Sequence, residues 1–147
     1  ITSLNNFKYV ANMSIQPKAL KYKKGETIIR EGDRSDCAYI IESGSAEVCK
    51  SLPSGKQHFV GTLTRDEIFG ELGLIDGLPR SATVTALDSC RIRKITQQTF
   101  VSLAKQNPQA LMPILKILVN RLRHTLRVVD NLESGKVETQ SVPVGSL

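Results

Sequence analysis

The chain has 147 residues, 40% of them hydrophobic, and a net charge of +6. That is one domain with enough apolar material for a core, and no run of eighteen apolar residues that could cross a membrane. Cys37, Cys49 and Cys90 form no Cys-x-x-Cys pair, and His58 and His124 have no partner at metal-ligand spacing, so a metal centre or redox chemistry is not expected.

Ile1-Thr-Ser-Leu4 carries no basic-then-apolar export signal. With the free thiols, this points to a reducing, cytoplasmic setting. The start also lacks an initiator Met, and the chain is expected to be cut from something longer. In residues 1–17, Leu4, Phe7, Val10, Ala11 and Met13 recur at steps of three and four, which predicts a short amphipathic helix ending near Pro17. From residue 18 to residue 95 the pattern changes to short apolar or alternating runs. They are Thr27–Arg30, Cys37–Glu42, Ala46–Ser51, His58–Leu63, Ala82–Leu87 and Cys90–Ile95. Turn signals at Gly25, Gly32-Asp33, Gly44, Pro53-Ser-Gly55 and Arg65-Asp66 separate them, and Pro53-Ser-Gly55 reads as a hairpin tip. Many short strands at this spacing predict a β-sandwich or barrel.

Gly70 precedes a short helical run, Glu71-Leu-Gly-Leu-Ile75. Amides at a helix start have no intrahelical partner and favour an anion. Arg80 follows behind Pro79, and a guanidinium can grip a phosphate with two parallel bonds. Glu71 would repel that phosphate, so it is expected across the ligand, accepting hydrogen bonds from sugar hydroxyls. The combination points to a sugar bearing a small phosphate. No second carboxylate pairs with Asp76 or Asp88 for acid–base work, no nucleophile–His–Asp set is present, and enzyme activity is not expected.

Beyond residue 95 the period becomes helical. Thr96-Gln-Gln-Thr99 predicts an N-cap and a helix to about Gln106. Asn107-Pro108 predicts the start of the next, with Asn capping, Pro113 in its first turns and an end near Leu132. Leu111, Leu115, Leu118, Leu122, Thr125, Val129 and Leu132 alternate in steps of four and three. This predicts a seam for the same helix of a second subunit, a homodimer through residues 111–132. A second stripe, Ile114, Ile117 and Val119 with Leu126, is expected to face the β-domain. Residues 133–147 are expected to be a flexible tail. Basic clusters at Lys18–Lys24 and Arg121–Arg127 read as solvated faces that steer an anionic ligand inward, without nucleic-acid contact by this chain.

The stretches Phe69-Gly-Glu-Leu-Gly-Leu74 and Pro79-Arg-Ser-Ala-Thr-Val84 resemble the phosphate-binding cassette of the cyclic-nucleotide-binding domain family. The likeness extends to Tyr22-Lys-Lys-Gly-Glu-Thr-Ile28, Glu31-Gly-Asp33 and Ala38-Tyr-Ile-Ile-Glu-Ser-Gly44, and covers about residues 18–132. It is strongest to the catabolite-activator-like bacterial branch. The resemblance implies a β-jelly roll (double-stranded β-helix) with flanking helices and a long C-terminal helix. It implies a regulatory domain that binds cAMP, less readily cGMP, and signals through its last helix to an effector. Gly70, Leu72 and Ala82 would act through the backbone, Arg80 and Ser81 on the phosphate, and Glu71 on the ribose 2′-hydroxyl. Thr125 falls where that branch contacts adenine, and Arg123 is an alternative cap over the base. Leu126 replaces a polar neighbour, so a base contact from the second subunit is not carried over. Other readings are the sensor half of a DNA-binding regulator without its DNA-reading helices, a ligand-independent dimerisation module, and a channel or transporter appendage. No second helical pair follows Leu132, so this chain would not read DNA in the helix-turn-helix mode.

Overall fold

A computed structural model describes residues 19–135, so the helix expected in residues 1–17 and most of the expected tail lie outside the described residues. Among the described residues, eight strands form two antiparallel sheets. One has the order β1 (Leu20–Tyr22), β8 (Cys90–Thr96), β3 (Cys37–Ser43), β6 (Ile68–Phe69). The other has the order β2 (Thr27–Ile29), β7 (Thr83–Ala86), β4 (Ala46–Ser51), β5 (Gln57–Leu63). The six strands read from the sequence are present. The two it did not reveal are β1, a charged three-residue strand, and β6, only two residues long. Neither is long enough to display a period of two.

The buried side chains follow from strand alternation. On β3, Cys37, Tyr39 and Ile41 point into the main core with Val48, Leu63, Phe69, Val84 and Ile92. Ala38 and Ile40 point to the opposite face, where they meet Ile68, Leu74 and Ile95 and receive Phe100 and Ile117 from the helices. Residues 37–41 are therefore all buried, and a continuous apolar run marks a strand covered on both sides.

Three helical elements follow the expected order. Helix α1 (Glu71–Asp76) interrupts the strands, α2 spans Gln97–Gln106, and α3 runs Met112–Glu133 after a 3₁₀ turn over Pro108–Leu111. Thr96 caps α2 as predicted, its hydroxyl accepting the Thr99 amide at 3.2 Å. Asn107 does not cap with its side chain; it precedes the 3₁₀ turn, and α3 starts afterwards with Pro113 in its first turn.

The register of α3 differs from the predicted one. Ile114, Arg121 and His124 are its buried residues, with Ile117 half-buried beside them. Val119 and Leu126, expected inward, are exposed together with Leu115, Leu122 and Val129. At 100° per residue these five form one line in steps of four and three. Ile114 and Ile117 face inward as predicted, but the inward face continues through the polar Arg121 and His124 and not through Val119 and Leu126.

Gly44 turns β3 into β4 at φ 86°, and a Cβ there would lie 2.9 Å from the Cys90 Cα and closer still to the Ser89 carbonyl. Gly44→Ala should therefore cost at least about 2 kcal/mol in urea denaturation. Gly55→Ala, at the open β4–β5 turn where a Cβ meets nothing within 4 Å, should cost only about 1 kcal/mol. Equal costs would mean that the Gly44 contact contributes nothing.

Candidate functional site

Arg80 lies between α1 and β7 and is only 7% exposed. Its backbone is tied to the turn before β3: its amide donates to the Asp33 carbonyl at 2.9 Å, and its carbonyl accepts the Gly32 amide at 2.8 Å. Its Nη1 donates to the carbonyls of Cys37 and Gly70, both at 2.8 Å, and its Nη2 to the Cys37 Sγ at 3.2 Å. The guanidinium carbon sits 5.7 Å from the centre of the Tyr39 ring, whose face attracts a cation. That ring stacks on Phe69. Gly70 leaves the room: a Cβ there would lie 2.5 Å from Arg80 Nη1, and its φ of 72° is one that side-chain-bearing residues avoid.

Every acceptor that holds this cation is neutral. Among the described residues the ion pairs are Lys50–Glu31, Arg93–Glu42 and Arg121–Glu71, and none involves Arg80. Three of its five N–H groups are engaged. Arg80 also lines a cavity of about 220 Å³, together with Gly70, Leu72 and Ser81. The cavity wall includes two hydroxyls, Ser35 and Ser81, whose buried oxygens have no protein partner. It also includes Asp76, whose Oδ1 is occupied by the Leu78 amide at 2.9 Å. The Ser81 carbonyl is fixed from the other side by Lys50 Nζ at 2.9 Å, and Lys50 pairs with Glu31. Ala82 is buried at the entry to β7 and does not line the cavity.

Glu71 is placed differently from expectation. Its carboxylate is 1% exposed and pairs with the Arg121 guanidinium from α3. Arg121, itself buried, also donates to the Ile68 carbonyl at 3.1 Å. Glu71 and Arg80 were expected to flank one ligand, yet they line separate cavities. Glu71 borders a small apolar one, with Ile68, Leu74 and Phe100. The reason is Arg121, a stronger partner than any hydroxyl. Glu71 Oε1 is taken, while Oε2 is buried without a partner. Burial pushes the Glu71 carboxyl up to about 7, against the opposing pull of Arg121, the backbone amide and, more weakly, Arg80. Burial likewise lowers Arg121, which Glu71 opposes.

The two residues expected over the base lie on α3, outside the Arg80 cavity. Arg123 is exposed and points away from the buried face that carries Arg121. Thr125 Oγ1 donates to the carbonyl of Arg121 at 3.0 Å. Sequence reasoning missed Arg121 and Ser35. The only signal for Arg121 is its position seven residues after Ile114 and four after Ile117, on the stripe that faces the sheet.

Residues 19–107 match the family model described as "Cyclic nucleotide-binding domain". The chain belongs to that family. A cAMP-activated global transcriptional regulator of Pasteurella multocida is 34% identical to the domain over 113 residues, which is 76% of this chain and 54% of that protein. The chain thus spans about half the length of the curated relatives it matches. The catabolite activator protein of Thermus thermophilus superposes with a TM-score of 0.76 at 22% identity, over 84% of this chain and 63% of that one, a likeness of fold. An EAL enzyme solved in a cAMP-bound form superposes with a TM-score of 0.59 at 32% identity, over 77% of this chain and 30% of that one. The same enzyme has also been solved in a cGMP-bound form. Among the described residues no group of His, Cys, Asp and Glu could hold a metal ion, and no helix is long and apolar enough to cross a membrane.

The carboxyl of Glu71 titrates at 4.5 when exposed and at about 7 in the fold. The folded state binds that proton more tightly, so the stability Glu71 contributes is present below pH 4.5 and lost as pH rises through about 7. The stability of the natural protein relative to Glu71→Gln, measured by urea denaturation, is expected to fall between pH 4.5 and 7 and then level off. A difference that stays flat over that range, and falls only as pH drops below 4.5, would mean that Arg121 holds the carboxylate ionised.

Proposed function

We propose that this domain is the cyclic-nucleotide sensor of a longer regulatory protein, with cAMP ahead of cGMP as its ligand. The observation that carries the proposal is Arg80, a buried cation that forms no ion pair among the described residues, at the wall of a cavity that also holds two unbonded hydroxyls. An uncompensated buried charge is costly, and an anion that fits the cavity offsets that cost. The cyclic phosphate would take the remaining N–H groups of Arg80 and the Ser81 hydroxyl, with Gly70, Leu72 and Ala82 contributing through the backbone.

The ribose 2′-hydroxyl would reach Glu71 at its free Oε2, which requires Arg121 and α3 to shift. Thr125 and Arg123 would meet the base only after that shift. The mechanism is a change in the populations of two α3 positions, driven by differential contacts with the ligand. The domain, residues 18–132, acts as a regulatory binding module and not as an enzyme. The named function of the curated relatives supports the version in which the effector is the other half of a catabolite-activator-like transcription regulator. The nucleotide-bound EAL enzyme supports cyclic-nucleotide sensing by this fold next to a different effector.

One charge-assisted bond to phosphate contributes about 1.5–3 kcal/mol, so Arg80→Ala should weaken cAMP binding about tenfold or more in isothermal titration. Unchanged affinity would remove the phosphate assignment.

The exposed line Leu115, Val119, Leu122, Leu126 and Val129 supports a homodimer through α3. Sedimentation equilibrium should give a dimer for the natural protein and a monomer for Leu122→Glu. A monomeric natural protein at tens of micromolar (~50 μM, well above a typical dimer Kd) would sink the dimer.

A further inference from the structure

We propose that Ser35 is a ligand-contacting residue whose hydroxyl donates to a phosphoryl oxygen of the anion held by Arg80. This rests on the cyclic-nucleotide reading of that cavity and adds a residue to it. Ser35 lies in the turn between β2 and β3 and is 6% exposed. Its neighbours on both sides clasp the arginine. Two residues before it, the Asp33 carbonyl accepts the Arg80 amide; two residues after it, the Cys37 carbonyl accepts Arg80 Nη1. Ser35 therefore sits at the middle of the segment that wraps the cation, and it lines the same cavity.

Its Oγ is buried with no partner among the described residues. A hydroxyl taken from water without a replacement bond destabilises the fold, and alanine would fill nearly the same space without that cost. The side chain is also fixed in place, because it packs where a Cβ of residue 73 would stand, and Gly73 leaves that space open. The one carboxylate in the cavity wall, Asp76, is engaged by the Leu78 amide. The hydroxyl is thus a held donor that shares a cavity with a guanidinium and makes no bond among the described residues. A phosphoryl oxygen has the charge and the lone pairs to meet both at once. Nothing in the sequence motif marks this position; the turn is simply Asp33-Arg-Ser-Asp36.

The test compares the natural protein with Ser35→Ala by isothermal titration of cAMP and of its two phosphorothioate diastereomers. Each diastereomer carries sulfur, a poor acceptor, in place of one exocyclic oxygen. Ser35→Ala should weaken cAMP binding about fivefold or more. The loss should shrink to less than about twofold for the diastereomer whose sulfur replaces the oxygen that Ser35 contacts. The ligand-free variant should melt at the same temperature as the natural protein or higher, because an unsatisfied hydroxyl is gone. Ser35→Cys, which keeps the volume but weakens the donor, should repeat the pattern and decides the matter if the alanine variant does not fold. A variant that binds cAMP like the natural protein overturns the Ser35 assignment alone. A common loss for all three ligands together with a lower melting temperature assigns Ser35 to packing and overturns it too. Natural protein that binds none of the three overturns the reading of the cavity, and Ser35 with it.

Discussion

A buried guanidinium with no ion-pair partner among the described residues is the constraint around which the rest of the cassette is arranged. Arg80 is enclosed by the carbonyls of Cys37 and Gly70, a thiol and the face of Tyr39. Such partners orient a cation without cancelling its charge. Cys37 and Tyr39 are fixed because β3 pairs with β8 on one side and with β6 on the other. Gly70 must lack a side chain for Nη1 to approach. The sheet that looks like scaffold is thus the device that keeps a positive charge dry and aimed. The anion proposed for the cavity would offset the cost of doing so.

Helix α1 connects that charge to the C-terminal helix. At its start, the Gly70 carbonyl holds Arg80 while the next residue, Glu71, holds Arg121 of α3. Two guanidiniums therefore grip adjacent residues. Anything that repositions the start of α1 acts on both. A sugar hydroxyl that reaches Glu71 competes with, or must share, the contact that anchors α3. Burial disfavours the charged forms of both Glu71 and Arg121, so the pair is bound less firmly than its formal charges suggest. That is a suitable property for a joint that has to be exchanged.

The sequence made the strands, the cassette and α2 legible, because each is marked by local chemistry. Short apolar or alternating runs mark β2 to β5, β7 and β8; the capping hydroxyl of Thr96 marks α2; the glycine at position 70 and the arginine at position 80 mark the cassette. What was illegible depends on tertiary competition. β6 is two residues long and exists because Tyr39 and Ile40 offer it a register. On α3, hydrophobicity identifies Ile114 and Ile117 as inward but not the rest of that face, which carries Arg121 and His124 in place of Val119 and Leu126. The direction of the Glu71 carboxylate was misjudged for the same reason. Its partner lies fifty residues away, on a helix whose inward polar residues resemble a surface pattern.

That polar inner face also distinguishes two ways in which α3 could rest on the sheet. A stripe of leucines would fix it by non-directional burial, and every small displacement would be opposed in proportion to the area exposed. Ile114 and Ile117 provide such burial only at the start of the helix. Further along, the hold passes to Arg121 and its bonds to Glu71 and Ile68, which depend on direction and can be traded for other partners. From Leu122 onwards the larger apolar side chains face outward. The first part of α3 is therefore anchored by packing, the middle by an exchangeable ion pair, and the remainder has its apolar surface available to something other than this domain. A ligand that engaged Arg80, as proposed, would have a physical route to that surface through α1 and the Glu71–Arg121 contact.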